Sequence, residues 1–292
     1  MNNKTLIGIL CGLGAASIWG GMYVVSKVVL EIIPPFTLVL IRLLLGILTL
    51  ALVLSLHGYP KITWKQFLQV VAVGFVGYGI SLSLQFLGTK LSTAANGSLV
   101  TSATPAFVLL FASILLREKI TLRRLAALVL ATGGVVAVID PRSAQLNPEL
   151  FLGNLLLFGA AITWALYSVL VRKMTQSLDV LPFSLLAFFG GLPVTIPAAA
   201  WELNTVGFGE ISLGVVVGVL FLGVISTALA MILWNSAFAI LDASVASLTF
   251  FAQPVVGTFL GWLFLGESIT TLFILGGILI GIGLVISSTE KS

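Results

Sequence analysis

Charge is what this sequence has least of. Asp, Glu, Lys and Arg make up only 8% of its 292 residues, against about 25% in a soluble globular domain. Hydrophobic residues make up 59%, and the mean hydropathy is +1.19. So few charges cannot cover a surface facing water, and most of the chain must face lipid or other membrane helices. Cysteine is nearly absent too: Cys11 is the only one, which excludes an intramolecular disulfide, and its apolar neighbours mark it as inert packing. His57 is the only histidine and falls in a loop. A Ser–His pair would depend on it alone, and zinc would lack ligands, so neither a metal nor an enzyme activity is expected. No G-x-x-x-x-G-K-[ST] motif occurs, so no ATP site and no cofactor are expected. The net charge of +4 is too small and too scattered for a nucleic-acid partner, and nothing in the sequence specifies an oligomeric state.

What is present is long apolar runs. Lys4 followed by LIGILCGLGAAS is compatible with a signal peptide. The run continues to Leu30, however, and a near-copy at 151–171 is internal, so both read as membrane spans. At about 20 apolar residues per span, ten follow: roughly 5–30, 36–56, 67–87, 94–116, 122–139, 151–171, 182–201, 211–235, 243–265 and 270–287. Helices satisfy each backbone within hydrocarbon, and these runs are too long and too uniform for barrel strands. The fold class is therefore an all-α membrane protein of ten transmembrane helices. With the N-terminus inside, Lys4, Lys61, Lys65, Arg117, Lys119, Arg123, Arg124, Arg172, Lys173 and Lys291 fall on the cytoplasmic side. Only Lys27, Arg42, Lys90 and Arg142 fall outside, so both termini are expected to be cytoplasmic.

The chain repeats itself. GLGAASIWGG at 12–21 returns as LFGAAITWAL at 157–166, aligning Trp19 with Trp164 and Lys27 with Arg172. Pro105, Glu118, Ile120 and Thr121 return as Pro254, Glu267, Ile269 and Thr270. Two halves follow, 1–145 and 146–292. Because each holds five spans, an odd number, the second inserts upside down relative to the first. Such inverted repeats place a substrate site where the halves meet, near mid-membrane. The small residues beside Trp19 and Trp164 permit close helix approach around that shared centre.

These segments resemble a known family. SIWGGMYVVSK, its counterpart TWALYSVLVRK, and the twice-written P-x₁₂-E-x-I-T at 105–121 and 254–270 are similar to EamA-type members of the drug/metabolite transporter superfamily, over essentially the whole chain. Within it the chain is most similar to YddG-type exporters of aromatic and other neutral amino acids. The resemblance implies a bacterial inner-membrane exporter of small metabolites, with a central cavity between pseudo-symmetric halves.

Candidate wall residues come from polar and aromatic stripes on apolar spans. Trp19 and Tyr23 share a helical face, as do Trp164, Tyr167 and Ser168. Tyr78, Ser81 and Gln85 line the third span, and Ser226, Thr227, Trp234 and Asn235 the eighth. The hydroxyl- and amide-rich segments NGSLVTSATP and ASLTFFAQP add Asn96, Thr101 and Gln253. Packing, or hydrogen bonding between helices worth about 0.6 kcal/mol each, is the plainer account of such stripes. A shared amphipathic cavity is the functional one. Pro105 and Pro254 are either static kinks or hinges that open one end of the cavity while closing the other. The GxxxG pairs Gly8/Gly12 and Gly277/Gly281 read as packing signals. Glu118 and Glu267 are expected to cap the next helix or pair with nearby charges. Arg42 reads as an interfacial anchor that snorkels or pairs with Glu31, or as an outer-vestibule contact for a substrate carboxylate. Charge-free span middles argue against a proton or sodium site.

The reading is a secondary transporter moving small amphipathic solutes by alternating access, with neutral and aromatic amino acids foremost and the lipid bilayer as its surroundings. Two alternatives stand beside it: an exporter of drugs or nucleotide-type metabolites with the same architecture, and a membrane scaffold or lipid-handling subunit that transports nothing.

Overall fold

The computed structural model describes residues 3–58, 60, 62–92, 97, 100–139, 148–265 and 271–288. Among them every regular element is helical and none is a strand. The first half contains α1 (Asn3–Val29), α2 (Pro35–His57), α3 (Trp64–Gly74), α4 (Leu82–Leu91), α5 (Thr104–Leu115) and α6 (Leu122–Ile139). The second contains α7 (Phe151–Met174), α8 (Val180–Phe189), α9 (Leu192–Thr205), α10 (Leu213–Leu220), α11 (Ala230–Ile240), α12 (Ala243–Leu248), α13 (Ala252–Leu265) and α14 (Thr271–Ser288). By length and hydropathy, five continuous stretches suffice to cross a membrane: Asn3–Val29, Pro35–Leu56, Trp64–Leu91, Phe151–Met174 and Leu213–Ile240. The pair α8 and α9, bent by 42° at Gly190–Gly191, makes a sixth.

Local chemistry sets several boundaries. Pro35 opens α2 where its missing N–H costs nothing. Thr63 and Gln66 form a reciprocal capping box on α3, and Ser212 accepts from Val215 N at the start of α10. Thr121 caps α6 by accepting from Arg124 N. Glu118 therefore leaves the next helix to Thr121 and reaches across the bundle. Its carboxylate accepts from Ala243 N, Ser244 N and Ser244 Oγ at 2.8, 3.2 and 2.6 Å, capping α12. It also pairs with Arg124, the nearby charge, at 3.2 Å. The other acidic partner, Glu267, lies outside the described residues. At the opposite end of the bundle, Glu202 caps α2 by accepting from Phe36 N, Thr37 N and Thr37 Oγ1.

Two continuous helices contain π-helical stretches at matching places, Phe75–Ser81 between α3 and α4 and Phe221–Leu229 between α10 and α11. In these, Leu82 N donates to Gly77 O and Ala230 N to Ile225 O, a five-residue step. The extra residue per turn bulges the backbone, a device found mostly at functional sites.

Small residues let the helices touch. Alanines 15 and 16 are fully buried, and a Cβ at Gly20 would sit 2.7 Å from Gln253 O, so α1 crosses α13 backbone to backbone. Of the two GxxxG pairs, Gly8 and Gly12 pack against Leu241 and Thr249, whereas Gly277 and Gly281 face open space. Helix α14 instead meets α6 through the adjacent edge: a Cβ at Gly134 would lie 2.6 Å from Gly276 O, and one at Gly283 2.7 Å from Ala127 O. That pair, with Leu248 and Phe251, has its own small core beside the main one.

Pro105 and Pro254 sit within the first turn of α5 and α13, each just after a tighter turn, at Ser102–Ala103 and at the 3₁₀ segment Thr249–Phe251. The break thus precedes each proline, where a missing donor is harmless, rather than arising from a kink it forces mid-helix.

Candidate functional site

The bundle's central cavity forms where α1, α2, α4, α5, α7, α11 and α13 converge. The π-helical stretch before α4 contributes Ser81, which donates to Ala160 O. Trp19 and Trp164 meet there edge to face, with ring centroids 5.6 Å apart and planes at 83°, a favourable aromatic arrangement. Met22, Met231 and Phe250 complete an apolar side; Gln85, Thr101, Thr104 and Gln253 supply polar groups. The free volume is about 20 Å³, little more than a water molecule needs. The walls are close to contact, so an amino-acid-sized solute enters only when they part.

Of the residues singled out from sequence, Trp19, Ser81, Gln85, Thr101, Trp164 and Gln253 line this cavity, as does Arg42. Asn96 lies outside the described residues. Tyr23, Tyr78, Tyr167, Ser168, Ser226, Thr227, Trp234 and Asn235 are not on the wall, and their polar groups bond other side chains and the backbone. The Tyr78 and Tyr167 hydroxyls are hydrogen-bonded, Tyr167 donates to Asn235 Oδ1 at 3.1 Å, and Asn235 Nδ2 donates to Ser184 Oγ at 2.8 Å. Trp234 Nε1 donates to Ser168 Oγ, and Tyr23 bonds Thr101 and Gln85. These stripes hold helices to one another. A helical periodicity shows that a face is polar; it does not show whether that face meets a partner or a void.

The two tryptophans differ in the same way. Trp19 Nε1 donates to Ser226 O at 3.0 Å, whereas Trp164 Nε1 is buried with no partner. Both amide atoms of Gln253 are likewise buried without a partner in hydrogen-bond geometry, although the amide lies near the Tyr23 hydroxyl. Buried polar atoms are nearly always satisfied, so unmatched ones in a cavity wall mark where a ligand can bond.

The residue that sequence reasoning misplaced is Arg42. It does not snorkel, and Glu31, its proposed partner, is exposed. Seven residues below the start of α2, about 10 Å along the helix axis, its side chain is fully buried and lines the cavity. Nε donates to Thr227 Oγ1 at 3.0 Å and Leu222 O at 3.3 Å, Nη2 reaches Ser226 Oγ at 3.4 Å, and the guanidinium carbon stands 4.6 Å from the Phe86 ring centroid. The second π-helical stretch supplies all three acceptors. The signal was visible as a lone arginine in LVLIRLLLGIL; its depth depended on where α2 begins.

A bundle of apolar helices around a small, mixed aromatic and polar cavity defines the class as a multi-pass membrane transporter. The sequence profile of the EamA-like transporter family matches the chain twice, over residues 6–139 and 151–289, and the chain belongs to that family. It is 24% identical to the uncharacterized transporter YoaV of Bacillus subtilis (strain 168), spanning 96% of this chain and 95% of that one. It is 25% identical to an uncharacterized transporter of Archaeoglobus fulgidus, spanning 100% and 99%. A solved crystal structure 20% identical to the chain superposes with a TM-score of 0.78 over 96% of each, and shares the fold.

Proposed function

We propose that this transporter is a secondary exporter of small amphipathic metabolites, neutral and aromatic amino acids foremost, working by alternating access in a bacterial inner membrane. The single observation that carries the reading is the contact of Trp19 with Trp164. Equivalent residues of the two halves meet over a nearly closed cavity whose unmatched groups include an indole N–H and a carboxamide. The same reading includes ten crossings in two inverted halves, of which five, or six with the bent pair α8 and α9, are long and apolar enough by themselves. The family profile matches each half once. Lys27 donates to Thr89 O and Ser92 O at the end of α4, and its counterpart Arg172 donates to Phe238 O and Ala239 O at the end of α11. Each cation thus caps the equivalent helix C-terminus, at opposite ends of the bundle.

The test compares two tryptophans. Trp164→Ala removes an indole whose N–H is unmatched, so initial flux of phenylalanine or tryptophan per folded molecule in liposomes should fall at least ~10-fold, with a smaller loss of stability than Trp234→Ala. Trp234→Ala removes a fully buried, hydrogen-bonded ring and should lose ~3–5 kcal/mol of stability. If Trp164→Ala instead loses stability with flux per folded molecule intact, the ring is packing and the cavity reading fails.

Orientation has its own test. With Cys11→Ser as background, a cysteine at exposed Asn204 should be labelled from outside intact cells. One at exposed Ser177 should react only after permeabilisation. The reverse pattern overturns the cytoplasmic placement of the termini.

A further inference from the structure

We propose that Arg42 is the anchor for a carboxylate on the transported solute, so that the protein selects small organic acids with an apolar body, amino acids among them, and rejects the matching amides and amines. The inference rests on the transporter reading and narrows its substrate class.

Arg42 is a fully buried cation that no carboxylate approaches within ion-pair distance among the described residues. Its partners are a hydroxyl pair, a carbonyl and a ring face, all neutral, and Nη1 has none. An unpaired charge at such depth is costly and in membrane proteins marks ligand or ion pathways. The Nε edge of the guanidinium is fixed by Thr227 and Leu222, which orients the fork instead of leaving it to drift. A planar fork held this way matches the two oxygens of a carboxylate and forms stronger, charge-assisted bonds.

The surroundings complete the selection. Trp164 Nε1 and the Gln253 amide offer further unmatched polar atoms in the same cavity, while Trp19, Trp164 and Phe250 line it with aromatic rings for an apolar body. Among the described residues no Asp or Glu lines the cavity. An ammonium group therefore meets no countercharge there and, without a carboxylate, faces Arg42 as a like charge in a low dielectric. The acid is required and the amino group is not.

The test uses four probes with one aromatic body: L-phenylalanine, 3-phenylpropionate, L-phenylalaninamide and phenethylamine. Binding to the purified protein in detergent is measured calorimetrically, and flux is measured in liposomes. The two acids should bind, and the amide and amine should bind at least ~30-fold more weakly, the range expected when one partner of a buried charge pair is removed. Arg42→Gln should abolish the preference, and Arg42→Lys should retain part of it. If the Arg42→Gln protein does not fold, the comparison of acid with amide on the unaltered protein decides alone. Equal binding of amide and acid, or no binding by any of the four, overturns the anchor. Equal flux of all four sinks the anchor while the transporter reading stands. Acid-selective binding that disappears in Arg42→Gln, with no flux, keeps the anchor and defeats the transporter reading.

Discussion

Gly190→Val should abolish accumulation of folded protein, and Gly190→Ala should destabilise it by about 3 kcal/mol, the upper part of the range for overpacking. Helices α3 and α8 cross with their backbones in contact. A Cβ on Gly190 would overlap Val71 O and Phe75 N and lie 2.5 Å from Gly74 C. On the facing side, a Cβ on Gly74 would overlap Ala187 O. The obstacles are main-chain atoms, which cannot rotate away as a side-chain end would. Relief requires the helices to separate, and the 42° bend that begins at Gly190 moves with them. The control is Gly277→Ala, where nothing lies within 4 Å; a surface change of this kind should stay within about 0.5 kcal/mol. Denaturation in mixed micelles, read by tryptophan fluorescence, separates the two. Equal stability of Gly190→Ala and Gly277→Ala would mean that the crossing yields easily.

The second large effect is at Glu118. Its carboxylate satisfies two backbone N–H groups and one hydroxyl at the start of α12, and also meets Arg124. Arg124 is 8% exposed and bonds Asp242 at 2.6 Å, while Arg172 approaches Asp242 at 3.9 Å. Four charged groups thus join the ends of α5, α6 and α7 to the start of α12. Glu118→Ala leaves buried donors unmatched and should cost about 3 kcal/mol, as when one member of a buried ion pair is deleted. Glu118→Gln keeps an acceptor for Ser244 and should cost about half as much. If both variants melt with the unaltered protein, the contacts contribute nothing net.

The apolar helical spans were legible because apolar length is a one-dimensional property. Five of the expected segments fall on helices long and apolar enough to cross a membrane, and 182–201 falls on the bent pair α8 and α9. The meeting of Trp19 and Trp164 was legible as well, because a repeat written twice implies an axis, and equivalent residues near an axis approach each other. The residues behind the wall were read from the same helical stripes as Trp19, Ser81, Gln85 and Trp164 on it. What separates Tyr78, Tyr167 and Asn235 from Trp164 and Gln253 is whether another side chain completes the hydrogen bond.

The sequence by itself determined composition, segment length and internal symmetry, and hence a membrane helix bundle of two related halves. Those features follow from transfer free energy and backbone hydrogen bonding, which act locally along the chain. Tertiary structure alone decided the depth of Arg42, the distant helix that Glu118 caps, the two π-helical stretches and the edge by which α14 packs. Each is a contact between residues far apart in the chain: Arg42 with Thr227, Glu118 with Ser244, Gly134 with Gly276. Such a contact depends on the relative rotation and height of two helices. Those are set by the packing of the whole bundle, and no single segment encodes them.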